Sequence, residues 1–457
     1  MTTPAAPGTP PRLRISRLDL GRLPDDAATG ARRQALVGRG AVPDPAVRDA
    51  ARAILADVRA GGDEAVRAAN RRFGGGHSDG RLVLEPGELA MARDALEPPV
   101  RAALEQAIAN VSRFAEAQRP LTTLTTVEPG VELERRWVPL ARVGAYVPGG
   151  TAPYPSSLVM TVAPAKVAGV GEVVVASPAD ASGRVDPVLA GAAGLLGVDA
   201  YVVAGGAQAV GALAYGLPTA GVAPVDRIVG PGNAWVTAAK LEAYGDVGID
   251  LPAGPSEGMV LADRTADARI VAADLITQAE HGPDSPALLV STDASLVDRV
   301  ETEVLRQLER LPRRSILERS LADHGVLVLA PDLDAAIAFV NDYGPEHLSI
   351  ETADLEATVA RIRNAGSVFV GPWAPESAGD YVSGANHVLP TGGLARSCGA
   401  LDLAAYGKFV QVQRIDREGL GRLRAAIGTL ATAEGLLAHR EAVEVRFVDI
   451  DGEGGPR

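Results

Sequence analysis

The residues best suited to chemistry in this chain are its histidines, of which there are six. Imidazole titrates near neutral pH and binds transition metals, so it can serve proton transfer or metal coordination. His77, in FGGGHSDG, and His324, in LADHGV, stand in settings typical of solvent-exposed histidines. The others lie among carboxylates or amides and are candidates for a site: His281, His347, His387 and His439.

The stretch TQAEHGPDSP (277–286) places Gln278 and His281 three residues apart, just before a Gly-Pro break. Residues 266–280 have helical spacing, so both side chains face the same way at the end of one helix. Imidazole and an oxygen donor suit Zn²⁺, although an amide ligand is uncommon. A histidine at a helix end also commonly caps the last carbonyl groups, and these residues alone leave that interpretation open.

In NDYGPEHLSI (341–350), Glu346 and His347 are adjacent. A carboxylate beside an imidazole provides a base that removes a proton and a group that activates water. The same pair is also compatible with the edge of a partly buried strand, where the two side chains are merely hydrogen-bonded.

The segment GPWAPESAGDYVSGANHVLPTGG (371–393) is rich in glycine, proline and polar groups. Its polar side chains include Glu376, Ser377, Asp380, Asn386 and His387. Long polar loops are usually functional or disordered, and the expected need to bury Trp373, Tyr381, Val388 and Leu389 favours function. Farther on, TAEGLLAHR carries Glu434 and His439, which alone would be typical of a solvated helix face.

Clusters of glycine and proline follow or precede the predicted strands, in the region where open α/β sheets bind ligands. They are VGAYVPGGTAPYPSS (143–157), VAGGAQAVG (203–211), IVGPGNAWVT (228–237) and DLPAGPSEG (250–258). Asn233 is a good helix N-cap, so free amide groups beside it could face a pyrophosphate. None of the clusters matches GxGxxG, and each is also compatible with a simple tight turn.

The elements that must position these residues alternate between strand and helix. Residues 44–72 and 97–118 have helical spacing, and short β-branched runs alternate with Ala-rich helical segments from residue 140 onward. The runs are EVVVAS, AYVVAGG, DRIVG, MVLAD, ALLVST, VLVLA and SVFVG. This alternation predicts an α/β fold with two doubly wound, Rossmann-like domains built on parallel sheets. From about residue 404 the pattern predicts helix with little sheet, with an apolar stripe that must be covered.

Composition excludes several classes of protein. The 457 residues are enough for two or three domains, and the formal charge of −13 argues against a nucleic-acid partner. The one cysteine, Cys398, rules out an intrachain disulfide and a Cys-rich zinc cluster. Without a signal-like start or a long apolar run, the sequence predicts a cytoplasmic protein that does not enter a membrane.

Taken together, several motifs resemble the histidinol dehydrogenase family, in consistent order from about residue 40 to 445. They are VGAYVPGG, GPGNAWVTAAK, DLPAGPSE, QAEHGPDSP, GPEHLS, PESAGDYVSGANHVLPT and AEGLLAHR. The resemblance implies oxidation of L-histidinol to L-histidine through the aldehyde level, with one Zn²⁺ per subunit and two NAD⁺ per turnover. One departure is Gly258, where the family more often has an aliphatic residue.

The resemblance also implies roles for individual residues. The implied zinc ligands are Gln278, His281, Asp380 and His439. The implied acid-base pair is Glu346 and His347, while Ser256 and Glu434 would hold the substrate together with His347 and the zinc ligands. Tyr146, Gln208 and Asn233 would line the NAD site. The family forms homodimers, so a second subunit would supply Glu434 and His439.

The expected domains follow from the resemblance and the strand pattern. An N-terminal extension would cover residues 1–39, and a first Rossmann-like domain with most zinc and catalytic residues would cover 40–145 and 256–403. A second, NAD-binding Rossmann-like domain would cover 146–255. A helical dimerisation segment would cover 404–457.

Other functions remain to be distinguished. A paralogous zinc- and NAD-dependent dehydrogenase of another alcohol, such as a sulfonated diol, would keep the same metal and cofactor sites. A zinc hydrolase would use the same ligand types but would leave the nucleotide-like clusters without a role. A non-catalytic metal-binding protein would explain neither the Glu346-His347 pair nor the long polar loop.

Overall fold

The structure is a computed structural model that describes residues 13–23, 26–149 and 152–448. Parts of the predicted N-terminal extension, of the glycine-rich motif 143–157 and of the C-terminal segment therefore lie outside the described residues: 1–12, 24–25, 150–151 and 449–457.

The strands of the described chain are β1 (Ser16–Asp19), β2 (Val83–Leu84), β3 (Thr123–Glu128), β4 (Val131–Pro139), β5 (Arg142–Tyr146), β6 (Glu172–Ser177), β7 (Ala200–Val203), β8 (Arg227–Val229), β9 (Gly248–Ile249), β10 (Gly258–Ala262), β11 (Ala287–Ser291), β12 (Val326–Leu329), β13 (His347–Glu351), β14 (Ser367–Val370) and β15 (Gly407–Ile415).

The α-helices are α1 (Ala27–Val37), α2 (Pro45–Phe73), α3 (Pro86–Asp94), α4 (Pro98–Ala117), α5 (Pro155–Ala168), α6 (Pro187–Leu196), α7 (Gly206–Tyr215), α8 (Ala234–Ala243), α9 (Ala268–Glu280), α10 (Ala294–Leu308), α11 (Arg314–His324), α12 (Leu333–Tyr343), α13 (Leu355–Val359), α14 (Glu376–Tyr381), α15 (Arg417–Ala433) and α16 (Leu437–Glu444). Short 3₁₀ turns span Leu20–Arg22, Leu394–Arg396, Leu403–Tyr406 and Val445–Phe447.

The chain forms two compact units. The first unit comprises Met1–Gln118 and Leu140–Tyr406, and the second comprises Arg119–Pro139 and Gly407–Arg457. The first unit contains two six-stranded sheets, and the second contains one three-stranded sheet.

One sheet of the first unit, called here the first sheet, has the order β1-β12-β11-β10-β13-β14, and all its strand pairs are parallel. Its inner strands β10, β11 and β12 are short, apolar and buried, as the β-branched runs predicted, while the inner strand β13 is buried but partly polar. The chain order reverses between β10 and β13, where Gly258 pairs with His347. Such a reversal opens a crevice between the elements on the two sides of the sheet.

The second sheet has the order β2-β7-β6-β5-β8-β9, and it is parallel except for the short edge strand β2. Its order reverses between β5 and β8. The helices α5, α6 and α7 are rich in alanine and glycine and are buried along most of their length. Small side chains allow these helices to pack closely, which explains how a core with few aromatic residues is filled. The fold is therefore the predicted pair of doubly wound parallel sheets.

The sheets divide the chain differently from the boundaries drawn on the sequence. β1, from the range assigned to an N-terminal extension, is an edge strand of the first sheet. β2 and β5, from the range assigned to the first domain, belong to the second sheet. β1 and β2 are too short to show a clear alternation, and pairing partners depend on contacts remote in sequence.

The second unit contains the antiparallel sheet β15-β4-β3 and the helix pair α15 and α16. The expectation of little sheet after residue 404 missed β15, whose nine residues GKFVQVQRI alternate apolar and polar side chains beside β4. Within the described residues, none of the helices combines the length and apolar character that crossing a bilayer demands.

Candidate active site

The predicted metal and acid-base residues of the first unit converge at the amino end of the first sheet. His347 is the first residue of β13, and Ser256 lies just before β10. α9 follows β10 and runs back across the sheet, so its last turn carries Gln278 and His281 to the same edge. Asp380, on α14, completes the group. The sequence suggested that ligands would bind where strands end, but this cluster lies where β10 and β13 begin.

Gln278 is held by the end of α9, which begins at the N-cap Asp267 and stops before Gly282. The Gln278 side chain is 1 % exposed, and its Nε2 donates to Ser256 Oγ at 3.3 Å. Its Oε1 is buried without a hydrogen-bond partner in the structure. A Cβ on Gly258 would lie 2.7 Å from Oε1, so the departure from the family pattern at this position makes room for the amide.

His281 faces two carboxylates of α14. Its Nδ1 lies 3.7 Å from Glu376 Oε1, and its Nε2 lies 3.7 Å from Asp380 Oδ2. One ligand atom from each of these residues falls within 4.8 Å of the others, which is a spacing that a single metal ion can bridge. The unpartnered Oε1 of Gln278 adds an oxygen donor nearby, and imidazole with oxygen donors is a set that Zn²⁺ accepts.

Glu346 and His347 are both buried, at 6 % and 3 % exposure. Glu346 Oε2 accepts hydrogen bonds of 2.8 Å from Ser256 Oγ and from the Glu257 backbone N–H. Burial nevertheless raises the pKa of Glu346 well above its usual range, with Glu257 and Asp380 adding repulsion. Both ring nitrogens of His347 lack hydrogen-bond partners, and burial lowers the pKa of this imidazole to about 3.

Glu376 makes the site strongly acidic. It is 3 % exposed, and its Oε1 has no hydrogen-bond partner although it lies 3.9 Å from His347 Nδ1. Burial raises its pKa well above the usual range, and so do the nearby Asp380, Glu346 and Asp274. Buried carboxylates with unsatisfied oxygens are stabilised by a cation, so the donor atoms and the charge of the site both fit a divalent metal ion.

The predicted cofactor residues lie at the carboxyl end of the second sheet. Tyr146 ends β5, and its hydroxyl accepts a 3.3 Å hydrogen bond from Gly206 N at the start of α7. Gln208 is on the first turn of that helix and is 3 % exposed. Asn233 caps α8 by accepting hydrogen bonds from Trp235 N and Val236 N.

Two glycines allow the chain to pack closely at this edge of the second sheet. A Cβ on Gly230 would lie 2.2 Å from Tyr146 O, and one on Gly232 would lie 2.5 Å from Val236. Two helix N-termini therefore lie at the carboxyl end of a doubly wound sheet, an arrangement that suits a dinucleotide phosphate.

Glu434 and His439 belong to the second unit, where both are exposed. Glu434 follows the last residue of α15, and His439 lies in the first turn of α16. They are not part of the cluster formed by the first unit.

Sequence reasoning gave no role to several side chains that contact the cluster. Glu376 and His387 lie in the crowded polar loop, and their contacts depend on the path of that loop. The prediction that four apolar residues of this loop are buried holds for Val388 and Leu389, but Trp373 and Tyr381 are 94% and 62% exposed. Arg39 was not singled out, although it forms a two-pronged ion pair with Glu257. The one sequence feature that could have drawn attention to Arg39 is its position as a charged residue between two glycines in VGRG.

Comparison with known proteins finds relatives along most of the chain. A profile of the histidinol dehydrogenase family matches residues 38–447. The histidinol dehydrogenase of Leifsonia xyli is 48% identical over 364 residues, covering 79% of this chain and 83% of the relative. That of Vibrio vulnificus (strain CMCP6) is 42% identical over 370 residues, covering 80% and 84%. The crystal structure of the Elizabethkingia anophelis histidinol dehydrogenase matches with a TM-score of 0.87 at 33% identity, covering 96% of this chain and 99% of that one.

Proposed function

Because the chain belongs to the histidinol dehydrogenase family, we propose that it oxidises L-histidinol to L-histidine, with NAD⁺ as hydride acceptor and a bound zinc ion. The observation that carries this proposal is the convergence of Gln278, His281 and Asp380 with the Glu346-His347 pair at one edge of the first sheet. The alcohol first loses a hydride and a proton to give the aldehyde level. Water then adds, and loss of a second hydride and proton gives the carboxylic acid.

Gln278, His281 and Asp380 would hold the zinc ion, with His439 of a second copy as the fourth ligand. When bound, zinc supplies a template that orients a substrate bearing an imidazole and an amine. Among these residues Gln278 is 1 % exposed and the Asp380 side chain 14 %, whereas the His281 side chain is 31 % exposed, so the ligand group is open to solvent on the His281 side. Ser256 and Glu434 would contact the substrate, the latter again from a second copy.

His347 would take the hydroxyl proton in the first oxidation. Its lowered pKa keeps the ring neutral at physiological pH, and both nitrogens are free of hydrogen-bond partners. A neutral imidazole with a vacant nitrogen can accept a proton, which it can then release before the second half of the reaction.

Glu346 would activate the water that adds to the aldehyde level. Its two hydrogen bonds, from Ser256 Oγ and Glu257 N, fix one carboxyl oxygen. Its raised pKa makes it a stronger base than an exposed carboxylate, as proton abstraction from water requires. The adjacent His347 Nδ1 lies 3.6 Å from the same oxygen, so the pair can act on one reacting carbon in turn.

Tyr146, Gln208 and Asn233 would line the site for NAD⁺. The positive ends of α7 and α8 would favour its pyrophosphate. Two NAD⁺ molecules bound in turn would each accept one hydride, and the protein would position each nicotinamide ring. We further propose a homodimer, because the site would take Glu434 and His439 from a second copy, and a cytoplasmic location, which suits a chain with the single cysteine Cys398.

The test is the number of NADH molecules formed per histidinol by the purified, zinc-supplemented protein. Two NADH per L-histidinol, with L-histidine as the product, is the expected result. One NADH with accumulated aldehyde would refute the proposed second oxidation. No NADH from histidinol, together with turnover of a sulfonated diol, would favour a paralogous dehydrogenase.

A further inference from the structure

A chain of hydrogen bonds links the cofactor half of the first unit to Asp380. His387 Nδ1 lies 3.0 Å from the backbone carbonyl of Asp380 and 3.9 Å from its Oδ1. His387 Nε2 lies 3.0 Å from Ser157 Oγ, in the first turn of α5. Neither His387 nor Ser157 has a part in the chemistry proposed above.

The carbonyl group decides which tautomer His387 adopts. A carbonyl oxygen can only accept, so Nδ1 must carry the proton and donate to Asp380. In the neutral ring Nε2 is then an acceptor, and Ser157 Oγ–H donates to it. Each polar atom of this pair thus has a defined role.

The Asp380 carbonyl needs such a donor. α14 spans only Glu376–Tyr381, and the last four carbonyls of a helix have no partner within it. The chain after α14 folds back so that His387 reaches one of them. Two side-chain amides fasten the same loop: Asn386 Nδ2 donates to Met160 O, and Asn110 Nδ2 donates to Val382 O.

We propose that His387 is a positioning residue that fixes Asp380 for metal binding, and that Ser157 holds the His387 ring in the orientation in which it does so. This inference rests on the proposed role of Asp380 as a zinc ligand. Groups that orient metal ligands typically contribute about 10- to 100-fold to metal affinity. Because Ser157 lies on α5, which follows β5 of the second sheet, the metal ligand is also tied to the half of the unit that carries the proposed cofactor residues.

Two variants of His387 separate its two hydrogen bonds. The side-chain nitrogen of Asn occupies nearly the place of Nδ1, so His387→Asn can still donate to the Asp380 carbonyl. The side-chain amide of Gln reaches the place of Nε2, so His387→Gln can keep the Ser157 contact and loses the Asp380 one. If His387 only filled space in the packing, His387→Asn would not bind zinc more tightly than His387→Gln.

The experiment measures the zinc dissociation constant of the full-length protein by competition with a chromophoric chelator. His387→Gln should bind zinc about 10- to 100-fold more weakly than wild type, the usual effect of losing an orienting contact, and His387→Asn should stay close to wild type. His324→Asn, at the end of α11, is the matched control and should leave the affinity unchanged.

Equal zinc affinities of the two His387 variants would overturn the inference, whether both were strong or both weak. A wild-type protein without zinc affinity would instead refute the proposed metal site itself. If neither His387 variant folds, Ser157→Ala gives the answer. It should weaken zinc binding roughly 3- to 10-fold, the effect of one neutral hydrogen bond. Unchanged affinity in that variant would also overturn the inference.

Discussion

Replacing Arg39 with methionine should damage both the stability and the activity of the protein. The guanidinium donates to both Glu257 carboxylate oxygens, at 2.7 and 2.5 Å, and lies 3.2 Å from the centre of the Tyr343 ring. Glu257 is 3 % exposed. Its backbone N–H donates to Glu346, and its carbonyl accepts from His347 N at 3.2 Å. The ion pair therefore holds the peptide that orients the proposed acid-base pair.

The size of the effect follows from the burial of Glu257. Removing one partner of a buried ion pair leaves an uncompensated charge and costs about 3–5 kcal/mol. Replacing both partners, in Arg39→Met with Glu257→Gln, should recover most of that loss, because no buried charge then remains. Turnover should fall in Arg39→Met more than substrate affinity does, since the displaced groups act on the reacting carbon.

Urea unfolding and steady-state kinetics measure the two effects. Arg17→Met is the matched control, because Arg17 pairs with Asp298 and Glu301 at the surface with its side chain 50% exposed. That variant should lose less than about 1 kcal/mol. An Arg39→Met protein within about 1 kcal/mol of wild type, with unchanged turnover, would refute the argument that this pair is buried and positions the site.

Three further changes test other parts of the account. His281→Ala should lose bound zinc while His347→Asn keeps it at reduced turnover, as metal analysis of the purified proteins would show; full zinc and activity in the His281 variant would contradict its assignment as a ligand. Burial raises the pKa of Asp274 from 3.8 to about 6. The protonated Asp274 carboxyl therefore adds to the free energy of unfolding below about pH 4, and this contribution is lost as pH rises through 6. Asp274→Asn should therefore stabilise the protein at pH 8 by up to about 3 kcal/mol and not at pH 4, measured by urea unfolding with chelator present; equal effects at both pH values would contradict this. Mixing inactive His439→Asn and His347→Asn proteins should restore part of the activity after subunit exchange, whereas no recovery would argue for sites built from one chain.

The sequence predicted the parallel sheets because their inner strands are apolar and separated by helices. It also predicted that Gln278 and His281 share one face, since the helical spacing of 266–280 ends at a Gly-Pro break. The structure has this helix at Ala268–Glu280. Helix α9 depends mainly on local signals, namely the Asp267 cap and a regular apolar period.

The sequence did not predict at which edge of the sheet the cluster lies. β13 reads HLSIE, and alternation places His347, Ser349 and Glu351 on the same side of a buried strand. These polar residues made the central strand β13 hard to recognise in the sequence. They are accommodated because α9 also places a polar group there: Asp274 hydrogen-bonds to Ser349. Burial and the nearby Asp274 raise the pKa of Glu351. Such pairing arises only when remote segments meet, and the ion pair of Arg39 with Glu257 was hidden for the same reason.

The most direct test of the central claim is diffraction from zinc-loaded crystals at the zinc absorption edge. We predict one strong anomalous peak per subunit. It should lie about 2.0–2.2 Å from its ligand atoms, which belong to Gln278, His281, Asp380 and His439 of a second copy. A peak bound elsewhere, or one at this site that lacks Gln278 and His439 among its ligands, would contradict it.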